Sequence, residues 1–385
     1  MKHFKKIIAT VLVAGGIFSV AGCSSGTVYS STSTAANWNV ATSATVENNY
    51  KEFWRSHKEV ASYTVNFAEG GNSTYKVEYY TADAATKYTT TFYMDKEDYD
   101  WGLDTLPEGV KIVPEEGSAP KDAVYVYEVE YTLKGRYVFN ATSETVEFTD
   151  TVKTVCKYRL AGENLKPVYS KQEIESTAPA ILTAASKDGM CVTIDAIYET
   201  YYNRDCSKAV IKVDDKTEAN VDSTKTVSLS GLTFDNSQLP FALRSFSLSG
   251  YKSFNVCSPQ NGSTQGVTAA CAAASALNSE DASDKAIIDV LTNVTDGVGN
   301  TVKDYIFFDG TSFDEDTAAK QIRCHNVAIS INADMKGSNN VYTYAAVENA
   351  DINTTRAVLL KMTTPLSFGL GTLSYTIKDL SVVNF

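Results

Sequence analysis

Cys23 is the residue whose surroundings spell out a reaction most plainly. Val20, Ala21 and Gly22 precede it: one aliphatic residue, then two small ones, then a thiol. Small side chains let a peptidase reach the Gly22–Cys23 bond. The thiol takes a diacylglyceryl thioether, and cleavage leaves Cys23 as a new N-terminus that palmitate-type acyl chains anchor. The flanks fit the same reading. Lys2, Lys5 and Lys6 make a positive n-region, and Ile7 to Ser19 is an apolar stretch of signal-peptide length, too short to span a bilayer. Residues 1–22 are therefore expected to be a lipoprotein signal peptide. Two or three acyl chains hold a protein stably where one would not. Ser24 after Cys23, rather than Asp, fits sorting to an outer membrane in a host that has one.

Other reactive patterns are thin. No G-x-S-x-G elbow, Walker A loop or dinucleotide glycine motif occurs. Ser249-Gly250-Tyr251-Lys252 matches S-x-x-K, but it lacks the companion S-D-N and K-T-G motifs. Cys324 and His325 are neighbours, so on a strand they face opposite ways and cannot share a metal. With no C-x-x-C or H-x-x-H, zinc is not expected. Two acidic clusters, Asp95 to Asp104 and Asp309 to Asp316, lack the EF-hand order and read as solvated loops or as calcium ligands. No spacing singles out a carboxylate pair for glycoside hydrolysis among 46 acidic residues. The chain is expected to have no catalytic site and no cofactor.

Six cysteines follow Cys23: Cys156, Cys191, Cys206, Cys257, Cys271 and Cys324. In an exported chain they permit three disulfides, with Cys191/Cys206 and Cys257/Cys271 closest in sequence; buried thiols are the other reading. Tyrosine numbers 23. Such rings can pack a core, line an amphipathic cavity or bind glycans and peptides at a surface.

The elements that must position these residues are mostly strands. Tyr63, Val65 and Phe67 alternate, as do Tyr75, Val77 and Tyr79, then Tyr88, Thr90, Phe92 and Met94. From Val124 to Lys134 the period of two is clearest, with Tyr125, Tyr127, Val129, Tyr131 and Leu133 on one face and Glu128, Glu130, Thr132 and Lys134 on the other. A further run covers Tyr137 to Phe148. Strands are expected at 152–160, 192–202, 208–213, 241–248, 251–257, 327–331, 341–347, 357–362 and 373–377. Lys285 to Val294 fits a strand slightly better than a helix, because Ile, Val and Thr dominate it. Gly266 to Leu277 reads as a short helix or a loop. One helix is expected near the start, where Val46, Tyr50, Phe53, Trp54, His57 and Val60 recur at helical spacing behind Thr45. Loops are expected at 107–123, 214–225, 258–265 and 308–318. Short strands with polar turns mean an antiparallel sandwich, barrel or curved half-barrel.

The chain has 385 residues, 43% of them apolar, enough for a real core. Its formal charge of −12 argues against nucleic acid, which needs a basic face. Removing residues 1–22 takes three lysines with it, so the charge falls from −12 to −15. Anionic headgroups repel such a body, which would stand off the bilayer on residues 23–44, a Ser/Thr-rich tether. Residues 45–385 are expected to form one body, with the 107–123 loop as the place for any sub-boundary.

Phe234-Asp235-Asn236-Ser237-Gln238-Leu239-Pro240-Phe241-Ala242-Leu243-Arg244 resembles uncharacterised exported bacterial proteins of the lipoprotein-carrier-like half-barrel superfamily. Leu165 to Ser170, Leu359-Leu360-Lys361, Pro365-Leu366 and Gly371 to Tyr375 agree, so the resemblance runs from Ala123 to Phe385. It implies a mainly β fold: a strongly curved antiparallel sheet around an apolar concave face, here with the one N-terminal helix and few other short helices. Better-known members carry lipid or lipoprotein acyl chains on that face. No catalytic residue comes with the resemblance. A chain tethered through Cys23 departs from a soluble carrier, as do the additional elements before Ala123.

The expectation is thus a lipid-anchored envelope protein, outside the cytoplasm on the cell membrane or an outer membrane. An apolar or amphipathic ligand, such as a lipid, would lie in its concave sheet. The candidate lining residues are Tyr125, Tyr127, Tyr131, Tyr198 and Arg244. Arg244 alternates with Phe246 and Leu248, so it would face inward, pairing with an acid or contacting ligand. The alternative is a surface structural or adhesion lipoprotein with no small ligand.

Overall fold

A computed structural model describes residues 57–384, other than 95–98, 101–120, 123–124, 162–163, 180–190, 218–221, 246–247, 249, 303–321, 332–339, 348–356 and 367–368. The expected signal peptide, Cys23, tether and 308–318 loop lie outside those residues, as does the expected 107–123 loop except for Lys121–Asp122, which form a short strand instead. Ser249 and nearly all of both acidic clusters also lie outside them.

The chain folds as one strongly curved sheet of 17 strands, with a separate two-stranded ribbon. Its strands are β1 (His57–Glu69), β2 (Tyr75–Tyr79), β3 (Lys87–Met94), β4 (Tyr99–Asp100), β5 (Lys121–Asp122), β6 (Tyr125–Phe139), β7 (Thr145–Ala161), β8 (Asn164–Pro179), β9 (Cys191–Tyr202) and β10 (Lys208–Asp215). Then come β11 (Ser223–Ser228), β12 (Thr233–Asp235), β13 (Gly250–Ser258), β14 (Ser263–Cys271), β15 (Ser275–Ala276), β16 (Ile322–Ile331), β17 (Asn340–Val347), β18 (Val358–Leu366) and β19 (Gly371–Asn384). The ribbon is β4 with β5.

The main-chain ladder runs from β11 through β10, β9, β8, β7 and β6. Both β2 and β3 pair with β6, and β3 hands over to β1. From β1 the ladder continues through β19, β18, β17, β16, β14 and β13 to β12. Every one of these pairings is antiparallel except β12 with β13, and β11 and β12 are the two edges. The ladder does not close. Register shifts at Ser62/Tyr63, Lys157/Tyr158 and Thr343/Tyr344 mark irregularities of the kind that bend a sheet.

The period of two decides what faces in. On β6, Tyr125, Tyr127, Val129, Tyr131, Leu133, Tyr137 and Phe139 are buried in the concave core, while Glu128, Glu130, Thr132 and Lys134 are half-buried on the other face. Gly135 interrupts the inner row for a steric reason. A Cβ there would lie 2.4 Å from the Glu78 carbonyl oxygen and 2.7 Å from the Phe148 ring. On the outer face, Lys87–Glu130, Arg136–Glu78 and Lys171–Glu173 form exposed ion pairs that contribute little to stability.

Several expectations need correction. His57 to Val60 belong to β1, so the expected N-terminal helix does not extend over them; the rest of it lies outside the described residues. Residues 241–245, the described start of the strand expected at 241–248, are not a strand. Phe241 and Ala242 close a short helix, α1 (Leu239–Ala242), flanked by 3-10 turns at Asn236–Gln238 and Leu243–Ser245. Asp235 caps the first turn and Pro240 sits in the first turn of α1, where its missing N–H is harmless. Lys285 to Thr292 are helical, in α2 (Ala282–Thr292). Asp281 caps it by accepting from the Ser283 and Asp284 N–H groups, and Ile287, Ile288 and Leu291 bury one stripe against β19. That cap outweighs the β-branched composition. Residues 266–277 enter β14 and β15 rather than a helix. The loops expected at 214–225 and 258–265 give way to β11 and β14 at their C-terminal ends. The run from Tyr137 to Phe148 is a hairpin, and β8 had no expected counterpart.

Candidate functional site

The concave face carries a plug. The turn from Asn236 to Ser245 crosses it, and the Phe241 ring stacks on Phe92 with centroids 4.0 Å apart. Tyr158 and Tyr127 lie 5.4 and 5.6 Å from the same ring. Tyr344 donates its hydroxyl to the Pro240 carbonyl at 2.7 Å. Tyr125 stacks on Phe92 and Tyr158. Two expected lining residues, Tyr125 and Tyr127, thus touch protein rather than an open hollow.

Polar groups fasten the plug on the β8–β9 side. Asp235 is fully buried, and its carboxylate accepts from Ser170 Oγ at 2.5 Å, Tyr202 Oη at 2.6 Å and the Ser237 N–H at 2.9 Å. Burial raises its pKa, opposed by those three donors. Next along β8, Gln172 donates to Asn236 Oδ1 at 3.1 Å and to Ser237 Oγ, and accepts from Gln260 at 3.1 Å. The alternation of β8 and β9 produces this row: Ser170, Gln172, Thr200 and Tyr202 all face inward.

At the plug's other end Arg244 pairs with an acid, as expected, though from a helical turn rather than a strand. Its Nη1 and Nη2 bond Glu59 Oε1 and Oε2 at 2.7 and 3.0 Å, and its Nε donates to the Ala357 carbonyl at 2.6 Å. The guanidinium carbon lies 5.1 Å from the centre of the Phe241 ring. With its donors so engaged, Arg244 holds the plug rather than lining an open site.

Away from the plug, tyrosines pack the concave core. Tyr131 stacks with Tyr88 at 6.1 Å, and Tyr88 contacts Tyr375 at 4.6 Å. The hydroxyls of Tyr79, Tyr88 and Tyr131 are buried and bond no protein group. Burial raises the pKa of all three well above the ordinary phenol range. Asp150, 1% exposed, is set opposite Leu133 on β6 and accepts the Thr177 N–H at 2.8 Å. Its other oxygen, beside the Ser176 hydroxyl, completes no hydrogen bond of normal geometry. Burial pushes this carboxyl up to about 7.

The sequence-level candidates thus divide. Tyr131 belongs to this second half; Tyr125, Tyr127 and Arg244 belong to the plug; Tyr198 is half-buried on β9, paired in register with Gln172 and Val213. Sequence reasoning missed Asp150 and Glu59. The missed signal was parity: Asp150 shares the inward even-numbered row of β7 with Phe148, Val152, Thr154, Cys156 and Tyr158, and Glu59 shares that of Ala61 and Tyr63.

No disulfide joins the six cysteines. Cys257 and Cys271 stand at opposite ends of the β13–β14 hairpin, facing Thr264 and Gly250. Burial raises Cys257 to about 12, and Cys191 and Cys324 to about 11, which makes them poor nucleophiles. His325 Nδ1 lies 3.2 Å from the Leu248 carbonyl, and Cys324 faces the other way. Among the described residues no group of three His, Cys, Asp or Glu could hold a metal ion, and no helix is long and apolar enough to cross a membrane.

No protein-family model and no curated protein matches the chain. Among solved structures it is similar to a β-barrel-like protein of a domain of unknown function, DUF1849, from Brucella abortus. The identity is 9% and the TM-score 0.37, over 84% of this chain and 96% of that one.

Proposed function

We propose that this chain is an acylated, non-enzymatic protein of the bacterial cell envelope, of the lipoprotein-carrier-like kind. Its half-barrel would hold an apolar or amphipathic ligand in the part of the hollow that the plug leaves to Tyr79, Tyr88 and Tyr131. The anchoring half of the reading rests on the lysines before Ile7, the apolar stretch and the Val20-Ala21-Gly22-Cys23 box. It places the body outside the cytoplasm, tied to a membrane through Cys23.

One observation carries the ligand half: three tyrosine hydroxyls are buried in the apolar concave core with no protein partner. Leaving such a group unsatisfied costs about 1–3 kcal/mol, and phenylalanine would avoid the cost at the same volume. A hydroxyl kept there suits a guest with an apolar body and a few polar atoms. Native mass spectrometry of the protein extracted from its membranes, with organic extraction of what it carries, tests this. A stoichiometric amphiphile is expected. A bare protein in both measurements contradicts it.

The plug favours a second reading, a structural or adhesion lipoprotein with no small guest. Phe241 and its ring partners fill their half of the hollow, while Tyr251 and Val298 stand 71% and 84% exposed. Capture of a specific protein or glycan by an otherwise guest-free chain would decide for it.

A further inference from the structure

The geometry points to Asn261 as a self-modifying site: its side chain closes on Gly262 and hydrolyses to a carboxylate, assisted by Lys225 from the open edge of the sheet. Asn261-Gly262 is the chain's one Asn-Gly pair. It ends the turn over residues 259–262 between β13 and β14, with Ser258 and Ser263 paired at the base. The Gly262 N–H reaches the Pro259 carbonyl at 3.1 Å, and Asn261 is exposed. Three other exposed asparagines give the contrast. Asn140, Asn293 and Asn300 donate their side-chain nitrogens to the Ser73 carbonyl, the Asp289 carbonyl and Asp296 Oδ2 at 2.8, 2.8 and 2.7 Å. Alanine, valine and threonine follow them. Asn261 is held, among the described residues, through its main chain alone, its N–H reaching Ser258 Oγ at 3.4 Å. Gly262, at φ +55°, has no Cβ to hinder the approach of its nitrogen to the Asn261 side chain.

A cation lies over the same turn. Lys225 extends from β11, an edge of the open ladder, so that a Cβ at Gly262 would lie 2.8 Å from Lys225 Cδ and 3.1 Å from its Nζ. Two hydrogen bonds cross the seam beside it: Thr264 Oγ1 to the Ser228 carbonyl at 3.3 Å, and Asn255 Nδ2 to the Ser230 carbonyl at 2.7 Å. Water is the only co-reactant. The Gly262 nitrogen gives its proton to solvent base and attacks Asn261 Cγ; the Cγ–Nδ2 bond breaks and ammonia leaves. Water then opens the five-membered imide at either carbonyl, giving aspartate or isoaspartate. Negative charge builds on the Gly262 nitrogen and the Asn261 side-chain oxygen during attack, and an ammonium beside them lowers that barrier. The product carboxylate then faces Lys225 as an ion pair across the seam. The turn also carries Gln260, bonded to Gln172 in the row that fastens the plug. Isoaspartate therefore lengthens the main chain of a turn that touches both the open edge and the plug.

The test incubates the mature chain with Cys23→Ser, which carries no acyl group, at pH 8 beside its Lys225→Met and Lys225→Arg variants. Mass spectrometry of proteolytic peptides follows each asparagine, with the same chains unfolded in urea as the reference. Asn261 is expected to gain one mass unit as a split pair of aspartate and isoaspartate peptides, while Asn140, Asn293 and Asn300 stay unchanged. Lys225→Met should slow the conversion several-fold, and Lys225→Arg, which keeps the charge, should restore most of the rate. Salt at about 1 M should bring the native chain down to the rate of Lys225→Met, because screening then acts within a few ångströms. In urea all three chains should convert alike, since the contact with Lys225 is lost. Asn261 intact in the folded chain when the urea-treated chain has converted would overturn the inference. Equal rates for the folded native chain and Lys225→Met would overturn it too, leaving ordinary Asn-Gly chemistry with no part for the lysine. Melting curves identify a variant that fails to fold; the salt series on the native chain then decides, and a rate indifferent to salt counts against the site.

Discussion

Arg244 and Glu59 meet as a two-pronged ion pair inside the hollow, Nη1 to Oε1 at 2.7 Å and Nη2 to Oε2 at 3.0 Å. Their side chains are only 10% and 6% exposed. The pair joins the plug to β1 across 185 residues of sequence. Removing one member strands a buried charge, so Glu59→Ala should cost about 3–5 kcal/mol in urea denaturation. Glu59→Leu combined with Arg244→Met should recover much of that loss. A single Glu59→Ala change without effect would mean that Arg244 reaches solvent.

Asp235 anchors the plug's other end through Ser170, Tyr202 and Ser237. Asp235→Ala leaves three buried donors without an acceptor and should destabilise by about 3 kcal/mol or more. In a double-mutant cycle with Tyr202→Phe, the two losses should fall short of additive by about 1 kcal/mol or more. Additive losses would show that the two groups do not interact.

Phe241 fills the half of the hollow that the plug covers. Phe241→Ala should cost about 3–5 kcal/mol. If the chain stays folded, it should also bind a fluorescent apolar dye more tightly than the native protein does. Dye binding equal to native at the same degree of folding would show that Phe241 is not what fills this half.

Asp150 gives stability an unusual pH dependence. Its carboxyl is raised from 3.8 to about 7 in the folded chain, so between those values the folded state holds a proton that the unfolded state has released. Stability from this group is therefore fully present below about pH 4 and lost as pH rises to about 7. The difference is on the order of 4 kcal/mol. The stability of wild type relative to Asp150→Asn should fall across that window in paired denaturation curves, and a constant difference would refute the assignment.

The sheet was legible because burial on one face writes a period of two into the sequence. Tyr125 to Leu133 and Tyr88 to Phe92 show it most clearly, and the inward residues are the ones the alternation names. The plug was half legible. The stretch from Asp235 to Arg244 drew notice, yet alternation at Arg244, Phe246 and Leu248 imitates a strand, and the decisive signals were a cap at Asp235 and Pro240 in the first turn. Helical spacing around Trp54 and His57 hid Glu59, whose inward direction follows only from β1 parity. Asp150 was lost among 46 acids because its burial depends on which face of β7 turns inward, a long-range fact.

The central claim is that the hollow has two halves, one closed by Phe241 and one left to a guest at Tyr79 and Tyr131. Fluorine NMR of the mature chain labelled with 3-fluorotyrosine, assigned through single Tyr→Phe variants and titrated with decanol, reads both halves at once. The signals of Tyr79 and Tyr131 should move, while those of Tyr125 and Tyr127 stay in place. Movement at Tyr125 and Tyr127 alone, or at none of the four, would contradict the account.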